Sequence, residues 1–333
     1  MALILDAMGS DNYPDPEIHG AVAAASLIDS EIVLVGDKEL ISPKLDKLSN
    51  IPSNLSIEHA PEVVEMWDKP VASAKEKPNN SMAVGIGLVK KGQGEAFVTA
   101  GNTGGAMFNA LRVLGRIKGV QRPALSGIFP SRKGKCIVVD IGANADCRPE
   151  FLLQFAMLGS IYAENVLERK IPKIGLLSNG EETGKGNQLV KDTFSLLKES
   201  GLNFIGNVEP KELFAGEADV VVTDGFTGNV LVKTSEAVAK MITDVLKEQL
   251  MSSVRTKLGA ALARPAFSAI KSLVDPSEIG AAPLLGIDGL VFIGHGRSDE
   301  RAIKNSLLLA NRAAEHGLMD LLRKDISEKL GLR

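Results

Sequence analysis

The chain has 333 residues, 44% hydrophobic and 24% charged, with a formal net charge of −3, values typical of a globular protein. Aromatic residues make up only 4% whereas glycine occurs 33 times, which argues against stacking on single-stranded nucleic acid and favours a tightly wound α/β enzyme. Two cysteines exclude a disulfide framework and favour the cytoplasm, no N-terminal signal is visible, and no apolar run approaches the roughly 20 residues of a spanning helix.

Short apolar strands alternate with helical segments along the whole chain. Strands are predicted at 3–5, 32–35, 55–58, 96–98, 124–129, 135–139, 174–178, 202–205, 220–223 and 289–293. Helices are predicted at 17–27, 40–45, 82–91, 106–116, 149–167, 187–200, 227–251 and 299–330, the last broken near 317. This alternation predicts a mostly parallel sheet with helices on both faces.

The domain organisation follows from the connections. The two strands before and after residues 130–134 are predicted to form an antiparallel hairpin, and 62–80 a loop that crosses the mouth of the site. Since no linker or repeat divides the chain, we expect one domain over 1–333, with 236–275 as a projecting helical subdomain that serves as a dimer arm or faces a membrane.

Four strands each run into a loop rich in glycine and amide side chains. The loops are 99–105, 141–144, 179–187 and 224–229. Glycine loops before helix N-termini aim backbone N–H groups at anions, and in a parallel sheet they meet at one edge. We therefore expect one polar, anion-holding crevice.

Three other chemistries have weak support. The dinucleotide and Walker motifs are missing, because Gly85-Ile86-Gly87 lies in a helical pattern. The histidines and cysteines share no ligand spacing, although Asp140 and Asp146 can hold a hard cation. Cys147 follows a site loop, but a lone cysteine is usually inert without a base that lowers its pKa.

The remaining groups are amides, hydroxyls and one lysine, Lys185, between glycines 184 and 186. Such groups hold an oxyanion and stabilise a tetrahedral intermediate, which indicates group transfer to or from a phosphate-like anion. An exposed turn lysine without a catalytic role is the alternative for Lys185.

Six long blocks along the chain resemble one family. They are LDAMGSD from Leu5, AGNTGGA from Ala100, DIGANADCRPEFLLQFAMLG from Asp140, LLSNGEETGKGN from Leu176, VVTDGFTGNVLVK from Val221 and GAAPLLGIDGLVFIGHGRS from Gly280. The chain thereby resembles the phosphate acyltransferases of bacterial phospholipid synthesis, the acyl-ACP:phosphate transacylases. Ser10, Thr99 and Gly105 depart from the expected glycine, serine and alanine, and none of these changes removes a polar group from the crevice.

The resemblance implies a three-layer α/β/α fold with a large, mostly parallel sheet, similar to the isocitrate/isopropylmalate dehydrogenases and the phosphate acetyltransferases. It implies that acyl-ACP and inorganic phosphate give acyl phosphate and free carrier protein, with no cofactor and no metal. Because phosphate is already an anionic nucleophile, positioning supplies much of the rate.

With this reaction in view, we expect Lys185 to hold phosphate and Asn229 to donate to the thioester oxygen. Asn102, Thr103 and Gly104 are expected to grip phosphate. Further candidates in the site loops are Asp6, Met8, Asp140, Asn144, Glu181, Glu182 and His295.

Positive charge gathers in two segments that lack acidic residues. In 112–135, Arg112, Arg116, Arg132 and Lys133 are candidates to dock the acidic acyl carrier protein. In 254–273, apolar residues including Leu258, Leu262 and Phe267 stand beside Arg255, Lys257, Arg264 and Lys271, which suits a membrane-surface contact. A dimer interface, an acyl groove or plain solvated faces are the alternatives.

The resemblance also implies a homodimer, peripheral to the inner face of the cell membrane, that feeds a membrane acyltransferase, and no nucleic-acid partner. Two other functions remain open: a short-chain phosphate acetyltransferase that uses acyl-CoA, and a regulatory module that senses an anion.

Overall fold

A computed structural model describes residues 1–331, apart from the side chains of residues 74, 271, 272, 274 and 276. The strands are β1 (Ala2–Asp6), β2 (Glu31–Gly36), β3 (Leu55–His59), β4 (Ala96–Thr99), β5 (Ala124–Ser131), β6 (Gly134–Val139), β7 (Ile174–Leu177), β8 (Phe204–Val208), β9 (Val220–Val222), β10 (Ala281–Leu285) and β11 (Leu290–Gly294). The α-helices are α1 (Asp15–Ala25), α2 (Lys38–Leu45), α3 (Pro70–Glu76), α4 (Ser81–Lys90), α5 (Thr103–Val113), α6 (Pro149–Val166), α7 (Gln188–Glu199), α8 (Pro210–Ala215), α9 (Gly225–Met251), α10 (Val254–Leu262), α11 (Arg264–Val274), α12 (Glu300–Glu315) and α13 (Leu318–Lys329).

The strands form one sheet in the order β3-β2-β1-β4-β11-β10-β5-β6-β9-β7-β8. Strand β10 is antiparallel to both of its neighbours, and β5 is antiparallel to β6, whereas the other adjacent pairs are parallel. Three reversals therefore separate β11 from β6, so β6, β9, β7 and β8 run opposite to β1, β2, β3, β4 and β11.

Helices cover both faces of the sheet. The largest buried cluster packs α1, α6, α12 and α13 against one face. On the other face, α4 and α5 pack over one half of the sheet, and α8 with the start of α9 packs over the other half. The predicted three-layer α/β/α architecture with a mostly parallel sheet is confirmed.

Two differences from the sequence-based elements matter for the site. Strand β10 went unpredicted because its sequence contains Pro283, a residue that normally argues against an internal strand. The segment 62–80, predicted as a loop, contains α3. The predicted hairpin is β5–β6, and the C-terminal helical run is interrupted at Gly317, whose φ is 62°.

Candidate functional site

Three polar loops meet where β6, β9 and β7 end. These strands are adjacent and parallel, so the segments 140–148, 223–224 and 178–187 leave the sheet at the same edge. The predicted catalytic residues Lys185 and Asn229 both belong to this edge, since Lys185 follows β7 and Asn229 lies in the first turns of α9 after β9.

Asp140 organises the first of these loops. Its buried carboxylate accepts backbone N–H bonds from Leu125 and Gly142 at 3.1 Å, from Ala143 at 2.9 Å and from Asn144 at 2.7 Å, plus the Asn144 side-chain amide at 2.8 Å. Burial raises the pKa of the carboxyl above its ordinary value, and these bonds oppose the rise. Asp140 and Asn144 therefore shape the loop, and the Asp140 carboxylate and the Asn144 side-chain NH₂ already have protein partners.

The start of α9 lies directly on that loop. A Cβ at Gly228 would stand 1.9 Å from the carbonyl oxygen of Asp140, so only glycine fits this position. The backbone N–H of Gly225 donates to the carbonyl oxygen of Asn144 at 2.7 Å. The side-chain amide of the exposed Asn229 donates to the carbonyl oxygen of Ile141 at 3.1 Å. Gly225 and Gly228 thus allow the backbone at the start of α9 to pack directly against the backbone of the loop after β6.

Lys185 lies on a turn fixed by its own loop. The side chain of Asn179 accepts the backbone N–H of Gly186 at 3.0 Å, and the φ of Gly186 is 96°, a conformation that favours glycine. The Lys185 side chain crosses Gly180, where an added Cβ would lie 2.8 Å from Lys185 Cγ. Lys185 is exposed and has no ion pair among the described residues, so its charge is available to an anion.

The N-termini of α7 and α9 lie at the same edge of the sheet as Lys185. Asp224 caps α9 by accepting the backbone N–H and the hydroxyl of Thr227, each at 2.8 Å, and Asn187 caps α7 by accepting the N–H of Val190 at 3.0 Å. The positive ends of both helix dipoles therefore point toward the mouth of the site.

A cavity of about 1160 Å³ opens between these loops and α9. Its polar lining comes from the loops and includes Ser178, Asn179 and Thr223. Its apolar lining comes from one face of α9, from side chains of α6, β7, α7 and α8, among them Phe214, and from Ile270 of α11. Sequence reasoning missed this cavity, although its signal is present in the spacing 227, 230, 231, 234, 238 and 242 along the helix.

The expectation that all four loops share one edge is wrong. Because the strand direction reverses between the two halves of the sheet, the loops after β1, β4 and β11 emerge at the opposite edge from those after β6, β7 and β9. That opposite edge carries Asp6, Met8, Asn102, Thr103, Gly104 and His295.

Most of these residues already have structural partners. The side chain of Asn102 caps α5 and also donates to the carbonyl oxygens of Glu65, Met66 and Asp68 at 3.1 to 3.2 Å, so the segment 62–80 lies against the end of β4. Asp6 is fully buried and accepts the hydroxyl of Thr99 at 2.7 Å, and burial raises the pKa of its carboxyl.

The remaining candidates at this edge differ in exposure. Met8 is buried against Gly36, whereas Thr103 and His295 are exposed and Gly104 is partly exposed. A role of this set in binding phosphate stays a prediction.

The basic run of the sequence is divided in space. Arg116 donates to the carbonyl oxygen of Gln121, near the start of β5, and Arg112 lies one turn earlier on α5. Arg132 and Lys133 form the β5–β6 turn, where Lys133 pairs with Glu217 at 2.7 Å. The eight residues of β5 separate the two pairs by about 26 Å. Only the first pair lies at the end of β5 that adjoins Asp140.

Two other chemical groups near the site are unsuited to catalysis. Burial raises the pKa of Cys147 to about 12, so its thiol is protonated at neutral pH. The acidic groups of Glu181, Glu209 and Glu212 lie together, but Lys211 pairs with all three at 2.7 to 3.5 Å and neutralises part of their charge. Glu182 is exposed, and its carbonyl oxygen accepts the side chain of Asn207.

Comparison with known proteins decides the family. A family described as "Fatty acid synthesis protein" matches residues 1–321. The chain is 44% identical to the phosphate acyltransferase of Elusimicrobium minutum over 98% of this chain and 96% of that one, and 46% identical to the phosphate acyltransferase of Dictyoglomus turgidum over 94% of each. The chain belongs to the phosphate acyltransferase family. It is therefore a transferase of fatty acid synthesis.

Solved structures agree on the fold. A phosphotransacetylase from Streptococcus pyogenes superposes with a TM-score of 0.61 at 17% identity, over 95% of this chain and 94% of that one. A putative 4-hydroxythreonine-4-phosphate dehydrogenase from Salmonella typhimurium gives 0.52 at 14% identity, over 94% and 98%. The predicted likeness to dehydrogenase-like folds is confirmed.

Proposed function

We propose that the protein transfers a long acyl group from acyl carrier protein to inorganic phosphate, giving acyl phosphate and free carrier protein. A phosphate oxygen attacks the thioester carbonyl, a C–O bond forms, the C–S bond breaks, and the leaving thiolate takes a proton from solvent. The observation that carries the proposal is the cavity described above, whose polar lining includes Gly186, the chain neighbour of Lys185, and whose remaining lining is mostly apolar.

The mouth suits the phosphate and the developing charge. Lys185 and the N-termini of α7 and α9 supply positive electrostatic potential, which holds the phosphate dianion. The second N–H of the Asn229 amide, not used by Ile141, serves as donor to the carbonyl oxygen as it becomes an oxyanion. Both groups act by position, since phosphate needs no strong base.

The interior favours a long chain over an acetyl group. Along α9 the lining extends from Thr227 to Thr243, and 16 residues at 1.5 Å each span about 24 Å. A short-chain phosphate acetyltransferase that uses acyl-CoA remains the second candidate, because the Streptococcus pyogenes neighbour is a phosphotransacetylase.

An assay separates these functions. The purified chain is incubated with hexadecanoyl-ACP, hexadecanoyl-CoA or acetyl-CoA, with and without phosphate, and free thiol is measured. We expect phosphate-dependent thiol release, fastest from hexadecanoyl-ACP. Preference for acetyl-CoA would support the second candidate, and no phosphate-dependent release from any substrate would leave a binding module.

Docking of the carrier protein is proposed at Arg112 and Arg116, since they lie on the same side as the site loops. Charge reversal of this pair is expected to raise the KM for acyl-ACP about 10-fold at low salt and less at high salt. Reversal of Arg132 and Lys133, which lie beyond the far end of β5, is the matched control. Equal effects of both pairs would contradict this placement.

The helices α9, α10 and α11 are proposed as the projecting subdomain, at 236–275 within a single domain over 1–333. Met241 and Val245 of α9 are 59% and 53% exposed, an apolar surface that suits a homodimer interface. None of the helices in residues 1–331 has the length and apolar character needed to cross a membrane.

Membrane contact is proposed at α10, on the inner face of the cell membrane, where a membrane acyltransferase takes the product. Leu258 and Leu262 are 64% and 87% exposed beside Arg255 and Lys257, whereas Phe267 is partly buried. The side chain of Lys271 lies outside the described residues. Liposome flotation tests the proposal: Leu258→Glu/Leu262→Glu should abolish binding to anionic vesicles, and unchanged flotation would refute it.

A further inference from the structure

One face of α9 forms a continuous wall of the cavity. Its lining positions are Thr227, Val230, Leu231, Thr234, Ser235, Val238, Ala239, Ile242 and Thr243. They recur at three- and four-residue intervals, which places them on one side of the helix. Opposite them stand side chains of β7, α7 and α8, among them Leu177, Leu189 and Phe214.

Two of the three hydroxyls on this wall beyond Thr227 already have hydrogen-bond partners. The Ser235 and Thr243 hydroxyls donate to the carbonyl oxygens of Leu231 and Ala239, each at 2.8 Å, within the helix itself. Their hydrogen-bonding capacity as donors is therefore used. The exposed Thr234 makes no side-chain hydrogen bond to the described residues, so its hydroxyl is the one polar group that the wall beyond Thr227 offers to a ligand or to water.

The volume of the cavity limits which kinds of ligand can fill it. Ligand pockets commonly measure about 300 to 1,000 Å³ and are mostly apolar with a few polar groups that fix orientation. This cavity of about 1160 Å³ lies slightly above that range and is mostly apolar, and the polar residues of the strand-end loops line one end of it. An unbranched hydrocarbon chain with a reactive polar head at the mouth fits both its length and its polarity.

We infer that the acyl chain of the substrate lies along this wall and that Ala239 and Ile242 set the chain length accepted. The inference rests on the proposed function. Ala239 lies 12 residues, about 18 Å, beyond Thr227, and Ile242 lies 15 residues, about 22 Å, beyond it. Ala239 presents a small side chain at the depth that only a long chain reaches, and Ile242, which is 57% exposed, presents a larger apolar side chain farther on.

The test compares acyl chains of two lengths. In Ala239→Phe, we expect kcat/KM for hexadecanoyl-ACP to fall about 10-fold or more, because each methylene left unburied costs roughly a factor of four, and octanoyl-ACP to change less than about twofold. Ile242→Ala should favour longer chains. The matched control is Ala237→Phe, on the same helix but outside the cavity lining.

A binding measurement gives a readout independent of turnover. A fluorescent long-chain fatty acid should bind the wild-type protein and the Ala237→Phe variant, and Ala239→Phe should weaken this binding about 10-fold. If Ala239→Phe fails to fold, Ala239→Leu takes its place in both measurements.

The outcomes distinguish failure of the proposed function from failure of the inference about the acyl chain. If wild type yields no acyl phosphate but Ala239→Phe still weakens the probe, the proposed function fails and the chain-binding cavity stands. If wild type is active but the length profile and probe affinity of Ala239→Phe match those of Ala237→Phe, the inference is overturned. Equal loss at both chain lengths would also overturn it.

Discussion

The side-chain amide of Asn229 donates a hydrogen bond of 3.1 Å to the carbonyl oxygen of Ile141, joining the first turns of α9 to the loop after β6. This contact fixes the orientation of the amide and leaves its second N–H without a partner among the described residues, on the side of α9 that faces the loop after β6. A donor that is already held in place stabilises developing charge without reorganising during the reaction.

Replacement of this donor should affect turnover more than stability. We expect Asn229→Ala to lower kcat about 10²-fold, the usual cost of removing one oxyanion donor. Stability should fall by only about 1 kcal/mol, for one lost hydrogen bond. Asn165→Ala is the control, because Asn165 also donates to one backbone carbonyl, that of Ile161 at 2.8 Å. If both variants kept full turnover, Asn229 would have no catalytic role.

Loss of the free lysine should affect chemistry alone. Lys185→Ala is expected to reduce turnover at least ~100-fold with an unchanged melting temperature, since Lys185 is exposed and forms no ion pair among the described residues. Lys191→Ala, an exposed lysine on the following helix, is the matched control. Near-normal turnover of Lys185→Ala in steady-state assays would remove this lysine from the mechanism.

Close packing of α9 on the Asp140 loop predicts a steep stability effect. Gly228→Ala places a Cβ 1.9 Å from the carbonyl oxygen of Asp140, so backbone must move, and we expect a loss of about 2 kcal/mol or more. Gly87→Ala, in a helix with no atom within 4 Å of the added Cβ, should stabilise by about 0.5 to 1 kcal/mol. Urea unfolding measures both, and similar values would show that the contact is not as described.

Much of this architecture could be predicted from the sequence, because many of its elements depend on residues that are close together in the chain. The strand–loop–helix units and the β5–β6 hairpin appear in the sequence as apolar runs bounded by glycine. The break in the C-terminal helical run is marked by a glycine, Gly317. Strand β10 was missed because its pairing with β11 and β5 is a long-range relation that Pro283 conceals.

The direction of the strands decides the site. A parallel arrangement of all four loop-bearing strands puts Asn102 at the same edge as Lys185, whereas the antiparallel pairings of β10 and β5 reverse the direction between the two halves of the sheet. The cavity was missed for a similar reason, because apolar positions on α9 do not show whether they face a core, a partner or a ligand. The family resemblance supplied the reaction, but strand direction decides which candidate residues share an edge.

The pH dependence of stability should reveal one buried acid. Burial raises the pKa of Glu17 from 4.5 to about 7, although its carboxylate accepts the backbone N–H of Ser10 at 2.8 Å. Because the folded state binds this proton more tightly, the contribution of Glu17 is most favourable below pH 4.5 and is lost as the pH rises toward 7.

Glu17→Gln isolates this effect. The variant should lose less stability than wild type between pH 5 and pH 8, and the difference should amount to a few kcal/mol at about 1.4 kcal/mol per pKa unit. Unfolding by urea at several pH values measures it. Parallel stability curves for the two proteins would mean that Glu17 titrates normally.

Formation of the product tests the central claim most directly. The protein is mixed with hexadecanoyl-ACP and isotopically labelled inorganic phosphate, and labelled acyl phosphate is trapped with hydroxylamine and counted against free carrier-protein thiol. The account predicts one labelled acyl phosphate for each thiol released, none without phosphate, and at least ~100-fold slower formation by Lys185→Ala. Thiol release that proceeds without phosphate, or that leaves no label in the acyl product, would contradict it.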